Sequence, residues 1–552
     1  TAFCSYSGEA LDKKTPLLRS MDTLNKAAVN MLHVLGNKGI KHVSTTVGPE
    51  QEYFLVPKEL YKERKDLVFC GRTLLGAPAP KGQEMEDHYF GTLKPKVAAY
   101  MHDLDVELWK LGIPAKTKHN EVAPAQHELA PVFDTTNVAV DHNQLTMEIM
   151  KKVAEKHDLV CLLHEKPFDG INGSGKHNNW SLTTDDGINL FKPGKKPENN
   201  SLFQLVLACT MAAVDAHAVL LRLAASNTGN DHRLGANEAP PAIISMYLGD
   251  QVGDVVDQII KNGEATSSLS SGEIDFGIKK LPKLEKDPTD RNRTSPFAFT
   301  GNRFEFRMVA SSNTIGDVNT VLNAMMAEQF EKAVEVLSKA DDFETAVTEY
   351  TAKLMREHQR IIFNGNGYSE EWPVEAEKRG LPNCKSIVDA IPALLDDTTI
   401  EMYGKFGILS KAELVARKEI LFEQYAGVRN IEALTMVDMA NKLIIPATVK
   451  YTKELADTVL AVKEAGVDAT IQAEMLADAT AKLAEMKKAV KNLSEVTEKA
   501  ANAGDAQAVA VAYKDEVMEA MAELRKPADE LEVVMPKEEW PMPTYGDLVF
   551  EL

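Results

Sequence analysis

Acidic side chains recur at positions of this chain that belong in a core, and few folds can bury them. The stretch Gly48-Pro49-Glu50-Gln51-Glu52-Tyr53-Phe54 runs on into Leu55-Val56, an apolar strand with two acids at alternate positions. Three more stretches repeat the theme: Asn120-Glu121-Val122-Ala123-Pro124-Ala125-Gln126-His127-Glu128, Asn172-Gly173-Ser174-Gly175-Lys176-His177, and Arg303-Phe304-Glu305-Phe306-Arg307. Side chains at i and i+2 of a strand share a face, so Glu50 and Glu52 point one way and Gln51 and Tyr53 the other. Two carboxylates this close raise each other's pKa, and apolar surroundings add a desolvation cost. A bound cation removes both. Together Glu50, Glu52, Glu121, Glu128, Glu305 and His177 offer five carboxylates and one imidazole, roughly what two hard divalent cations need.

Each piece taken alone has a plainer reading. Glu50 and Glu52 suit the charged face of an edge strand. Glu121 and Glu128 suit a solvated hairpin; if Pro124 lies in a turn, the flanking strands run back antiparallel and both acids face one site. His177 follows the glycine-rich turn Asn172–Gly175, where a backbone can approach a ligand closely, and it shares a strand face with Asn179 and Ser181. A lone histidine there is also at home in an ordinary hydrogen bond. Arg303, Glu305 and Arg307 share a face opposite Phe304 and Phe306, which fits an ion-pair ladder or a metal ligand flanked by guanidiniums that bind phosphate. Arg291 and Arg293 lie just upstream, and so many arginines close together in an acidic chain point to an anionic ligand.

The chain has 552 residues and a formal net charge of −20, which argues against a nucleic-acid or anionic-membrane surface. Its five cysteines are scattered with no CxxC spacing, so a reducing cytoplasm is expected, with neither a disulfide framework nor a zinc site. The most apolar stretch, Leu205 to Ala225, is interrupted by Asp215, His217 and Arg222 and reads as a buried helix rather than a membrane span.

Periodicity predicts helices over 18–37, 89–111 and 139–158, and strands over 43–56, near 121–133 and over 300–309. This mixture indicates an α+β fold with a largely antiparallel sheet and flanking helices. Gly263 to Thr294 reads as a surface excursion near the site. From about residue 376 the composition shifts to Ala, Glu, Lys, Leu and Met, and three antiparallel helices are expected over 431–464, 467–502 and 505–526, turning at Gly466 and Gly504. The expected divisions are 1–375, a helical region 376–530, and a tail 531–552 packed back on the core.

In this order the motifs resemble those of the glutamine synthetase family. Arg233-Leu-Gly-Ala-Asn-Glu-Ala-Pro-Pro and Asn292-Arg-Thr-Ser-Pro-Phe-Ala-Phe-Thr-Gly-Asn-Arg-Phe-Glu-Phe-Arg307 look like its type III branch. The resemblance implies ATP-dependent ligation of ammonia to the γ-carboxylate of glutamate through γ-glutamyl phosphate. It implies two divalent cations, Mg²⁺ or Mn²⁺, one on Glu52, Glu121 and Glu128 and the other on Glu50, His177 and Glu305. Arg233, Asn172 and Gly173 would bind glutamate. Phe133, Asn179, Ser181 and Arg303 would contact the nucleotide. Arg293 and Arg307 would act on the phosphates, and Glu238 would be the flap acid that takes a proton from ammonium. Asn179, Ala298 and Thr300 depart from other branches, which carry histidine, arginine and lysine there.

The resemblance also implies stacked hexameric rings, a dodecamer in type III, with the helices of 431–531 decorating or bridging them. Thr1 opens in what reads as the middle of a strand, so the family's small β-rich N-terminal domain, with its ammonium-deprotonating aspartate, is expected to be missing from this chain. Two other functions are weighed beside it: a γ-glutamyl ligase using a larger amine such as a polyamine, which would share the metal and ATP groups, and a non-catalytic structural member of the fold, in which metal-site acids would be expected to be lost.

Overall fold

Val43–Pro57 (β1) is the axis of the fold, a strand long enough to pair with several partners in turn. In this computed structural model the described residues are 2–237, 239–269, 273–274, 277–278, 280, 282, 284–285 and 292–551, with the backbone alone at 117, 273, 274, 284 and 285. Around β1 lie Ala115–Asn120 (β2), Gln126–Pro131 (β3), Leu159–Leu162 (β4), Gly175–Thr184 (β5), Phe297–Phe299 (β6) and Phe304–Ala310 (β7). The main sheet runs β2–β3–β1–β5–β7–β6 and ends on the short strand Met246–Tyr247, while β4 and Asp134–Thr135 also pair with β1. Every described pairing in it is antiparallel except that of β6 with Met246–Tyr247. The α+β expectation holds.

One face of the sheet is apolar. Phe297, Phe299, Phe304 and Phe306 are buried and pack ring on ring. On β1, Gln51 turns to this side and donates to the Ser311 carbonyl. Lys14–Val34 (α1) buries Leu24, Ala27, Ala28, Met31 and Leu32, the stripe its spacing predicts. Pro95–Lys110 (α2) starts later than expected, because Pro95 takes the first turn, where its missing N–H costs nothing. Thr136–Lys156 (α3) follows the short strand that crosses β1. Ser201–Ala216 (α4) and Ala218–Ala224 (α5) are bent by 78° at His217, and their apolar side chains are buried. No single helix among the described residues is long and apolar enough to cross a membrane. Gly316–Leu337 (α6) packs against α1.

The helical region differs in detail from its expected limits. Lys411–Met439 (α7) begins twenty residues before 431, at a Ser410–Glu413 capping box, and runs through a π turn into Ile445–Glu464 (α8). That box, a serine followed three residues on by a glutamate, is a start signal the periodicity alone does not weigh. Thr470–Ala501 (α9) and Ala506–Ala512 (α10) follow turns at Gly466 (φ 74°) and Gly504 (φ 133°). Met518–Val534 (α11) passes through Pro527, where a stop was expected. Burial of Leu524, Ala528 and Leu531 holds both sides of the proline in one helix. Residues of α9 pair in reverse order with α11 and the π turn that leads into it, Lys482 with Glu530, Asn492 with Glu523 and Lys499 with Glu516, so the two helices run antiparallel. The excursion from Gly263 to Thr294 lies partly outside the described residues; those described include a short antiparallel pair, Glu273–Ile274 with Leu284–Glu285.

Candidate active site

Strand register builds the site. Residues directly opposite in an antiparallel pair lie on the same face of the sheet. Glu50 of β1 stands opposite His177 of β5, Glu52 opposite Glu128 of β3, and Glu305 of β7 opposite Asn179 of β5. Acids from three strands and the histidine of a fourth therefore form one band across the polar face. His177 Nδ1 lies 2.9 Å from Glu50 Oε2 and 3.1 Å from Glu305 Oε1, and its Nε2 lies 3.7 Å from Glu52 Oε1. Glu52 Oε2 accepts from the Gly175 amide at 2.6 Å. Glu121 lies one residue past β2, in the turn that contains Pro124 and is closed by Ala125 in the left-handed region (φ 61°).

One member of this band was not expected. His119 of β2 stands opposite Glu128, with Nε2 3.1 Å from Glu128 Oε1 and Nδ1 3.4 Å from Glu121 Oε1. The donor atoms thus fall into two matching groups, Glu50–His177–Glu305 and His119–Glu121–Glu128, each with its donors within 4.8 Å of one another. Glu52 lies beside His177 and opposite Glu128. Glu121, two residues on, lies past the end of β2, and Glu128, nine residues on, faces His119 only through strand register, so spacing along β2 alone does not place His119 in the band.

The electrostatics fit a cation-binding role. Burial and the nearby charges of Glu52 and Glu128 push Glu121 up to about 8. Burial also raises Glu128, although the His119 hydrogen bond opposes it. His119 rises to about 9 through its bond to Glu128. His177 is raised well above its ordinary value: burial opposes this, but Glu305 and Glu50 outweigh it. Glu305 is itself held far below the carboxylate range, since His177 and Arg307 overcome its burial. Acids this crowded either take up protons or take up metal, and oxygen-rich donors with one imidazole per group suit two hard divalent cations.

The expected substrate groups lie at the ends of the band. Arg233 is 4 % exposed and lies along the Gly173–Gly175 backbone, where a Cβ on Gly175 would collide with its guanidinium. Its Nη2 donates to the Arg307 carbonyl at 3.2 Å, while its buried Nη1 has no hydrogen-bond partner among the described residues. A buried guanidinium N–H left without an acceptor is costly, and an anionic ligand would meet it. Asn172 accepts from Gln83 Nε2 at 2.7 Å, and the Gly173 carbonyl accepts from Gln126.

Toward the other end, Asn179 Nδ2 donates to Glu50 Oε1 at 3.1 Å and Arg303 Nε donates to Asn179 Oδ1 at 3.1 Å. Ser181 donates to the Asn302 carbonyl. Phe133 is exposed, and its Cβ and backbone lie against Gly48, which stands opposite Asn179. Arg307 grips Glu305 with two bonds of 3.0 Å and also donates to the carbonyls of Asn292 and Ser295. Arg293 is exposed over the Tyr89 ring, 5.9 Å from its centroid, and Tyr89 in turn packs edge-on against His119 at 6.1 Å. Glu238 and Arg291 lie outside the described residues.

Lys166 is a second group that sequence reasoning missed. Its Nζ donates to the Ile171 carbonyl and to Asn237 Oδ1, tying the glycine-rich loop to the segment that leads into residue 238. Burial lowers it to about 8.

Comparison with known proteins accounts for this arrangement. A family model described as glutamine synthetase, catalytic domain, matches residues 26–245, and one described as glutamine synthetase C-terminal domain matches 346–463. A protein of Butyrivibrio fibrisolvens named glutamine synthetase is 50% identical over 563 residues, covering 100% of this chain and 79% of the relative. A type-3 glutamine synthetase of Dictyostelium discoideum is 43% identical over 559 residues, covering 100% of this chain and 76% of the relative. A glutamine synthetase of Bacteroides fragilis is 41% identical over 564 residues, covering 100% and 77%. With relatives this similar along its whole length and the acid band in place, the chain belongs to the glutamine synthetase family.

Proposed function

We propose that this chain joins ammonia to the γ-carboxylate of glutamate at the expense of ATP, releasing glutamine, ADP and phosphate. The observation that carries the reading is the band of Glu50, Glu52, Glu121, Glu128, His177 and Glu305, with Arg233 Nη1, which has no partner among the described residues, at its edge. Glu52, Glu121 and Glu128 would hold one divalent cation, and Glu50, His177 and Glu305 the other, with Mg²⁺ or Mn²⁺ equally suited to the oxygen donors. When bound, the pair supplies neutralisation of the phosphate and carboxylate charges, which phosphoryl transfer needs most.

The chain's own residues do the rest. Arg233 grips the glutamate α-carboxylate, with Asn172 and Gly173 lining that end. Phe133, Asn179, Ser181 and Arg303 receive the nucleotide. The γ-carboxylate oxygen attacks the terminal phosphorus and ADP leaves. Arg293 and Arg307 balance the charge on the transferring group. Ammonia then attacks the acyl carbon, phosphate leaves, and Glu238 is the group that takes the extra proton.

The type III assignment draws on the 43% identity to the Dictyostelium discoideum relative. A dodecamer of stacked hexameric rings in the cytoplasm belongs to the same reading.

Phosphate release from ATP and glutamate, with ammonium or putrescine as acceptor, tests the reaction. Ammonium is expected to support turnover and putrescine to be poor; a strong preference for putrescine would make the chain a γ-glutamyl–polyamine ligase. Absence of Mg²⁺ and Mn²⁺ binding in calorimetry would instead leave a structural member of the fold. Because His119 braces both Glu121 and Glu128, His119→Ala is expected to weaken Mn²⁺ at one of the two sites by about 10–100-fold. Equal affinities in variant and parent would take His119 out of the site.

A further inference from the structure

The turn that carries Arg233 is held from the helical region. Residues Asn230–Arg233 form a short helical turn. On α7, Arg429 is 1 % exposed; its Nη1 donates to His232 Nε2 at 2.6 Å and its Nη2 to the Thr228 carbonyl at 2.9 Å. Glu432, one turn along, holds Arg429 Nη1 at 2.8 Å and is itself gripped by Arg72 through bonds of 2.7 and 3.1 Å. Asp231 accepts from Ser386 Oγ at 2.7 Å and from the Ile387 amide at 2.8 Å. Thr228, Asp231 and His232 are thus each tied to residues beyond 380. Arg233 follows directly, its guanidinium reaching the other way, toward the Arg307 carbonyl and the glycine loop.

We infer that Arg429, set in place by Glu432 and Arg72, is a positioning residue for Arg233, so that the C-terminal helices determine how well the site holds a carboxylate substrate. This rests on the reading of Arg233 as the glutamate-binding arginine. A buried ion network is a poor way to gain stability alone, since apolar residues of similar volume often serve as well. What the guanidinium adds is a planar fork that fixes several acceptors at once, which a lysine point charge does not reproduce. Here the acceptors are a histidine ring, a backbone carbonyl and a carboxylate from two separate segments. His232 accepts as a neutral ring, because burial and the charges of Arg72 and Arg429 hold its pKa far down.

The test uses the full chain with Arg429→Lys, His232→Leu and His232→Gln. Leucine removes the acceptor for Arg429, whereas glutamine returns an amide oxygen near the place of Nε2. Arg429→Lys and His232→Leu are expected to raise the KM for glutamate about 10-fold, the scale on which groups supporting a binding residue act, with the KM for ATP in place and the thermal midpoint lowered by only a few degrees, since the charge facing Glu432 is kept. His232→Gln is expected to restore the glutamate KM. Unchanged glutamate KM in folded Arg429→Lys and His232→Leu would overturn the inference. So would a joint rise of both KM values with a midpoint that falls much further, which marks a purely structural role. A parent chain whose phosphate release does not depend on glutamate would overturn the functional reading instead.

Discussion

Replacing Glu305 with Ala is expected to lower turnover by at least ~10², on the scale of one lost electrostatic contact in a phosphoryl-transfer site, and to leave the chain folded. Glu305 is 4 % exposed and holds His177 Nδ1 on one oxygen while receiving a two-bond grip from Arg307. Its removal takes one charge from the Glu50–His177–Glu305 group and frees the guanidinium beside it. The fold survives because Arg307 keeps its bonds to the Asn292 and Ser295 carbonyls and the phenylalanines on the opposite face are untouched. Glu305→Gln separates charge from shape: it keeps the volume and one acceptor, and its turnover is expected to fall nearly as far. Steady-state phosphate release at saturating Mn²⁺, beside circular dichroism, reads both effects. Near-normal turnover in Glu305→Ala would remove Glu305 from the proposed ligand set.

The acid band was legible because a strand has period two. Glu50 and Glu52 on one face, or Arg303, Glu305 and Arg307 on another, follow from position alone. What spacing along the chain does not carry is which strands lie side by side. Glu128 faces Glu52 on one side and His119 on the other, and only the register of three strands says so. His119 was missed for that reason, and Lys166 was missed because its partners are a carbonyl and Asn237 in separate loops. The helical region followed similar lines. Gly466 and Gly504 marked its turns, but the start of α7 depended on one capping box, and the passage of α11 through Pro527 depended on packing that sequence does not display. The tie between Arg429 and His232 joins residues 197 apart and has no local trace at all.

The largest expected loss of stability lies at Asp66, well away from the acid band. Arg64 and Asp66 are both fully buried and joined by bonds of 3.0 and 2.6 Å. Asp66 also accepts from the amides of Leu67 and Leu74 at 2.9 and 2.8 Å. Arg64 reaches onward to the carbonyls of Leu75 and Pro543, so one ion pair joins the segment after β1 to the last residues of the chain. Tyr545 is buried in the same place, against Gly76 and in contact with Phe168. Asp66→Ala strands a guanidinium in a dry interior and unpairs two amides. Breaking a buried pair from one side costs about 3–5 kcal/mol, and Arg64's two carbonyl acceptors offset only part of it. The variant is expected to show a lower urea midpoint and to lose its C-terminal residues to limited proteolysis before the rest of the chain is cut, because the bond to Pro543 depends on Arg64 staying in place. Removing both partners with Arg64→Met and Asp66→Leu is expected to recover much of the loss, since the desolvation cost goes with the charges. If Asp66→Ala alone leaves the urea midpoint unmoved, the pair does not hold the tail, and Tyr545 packing must do so by itself.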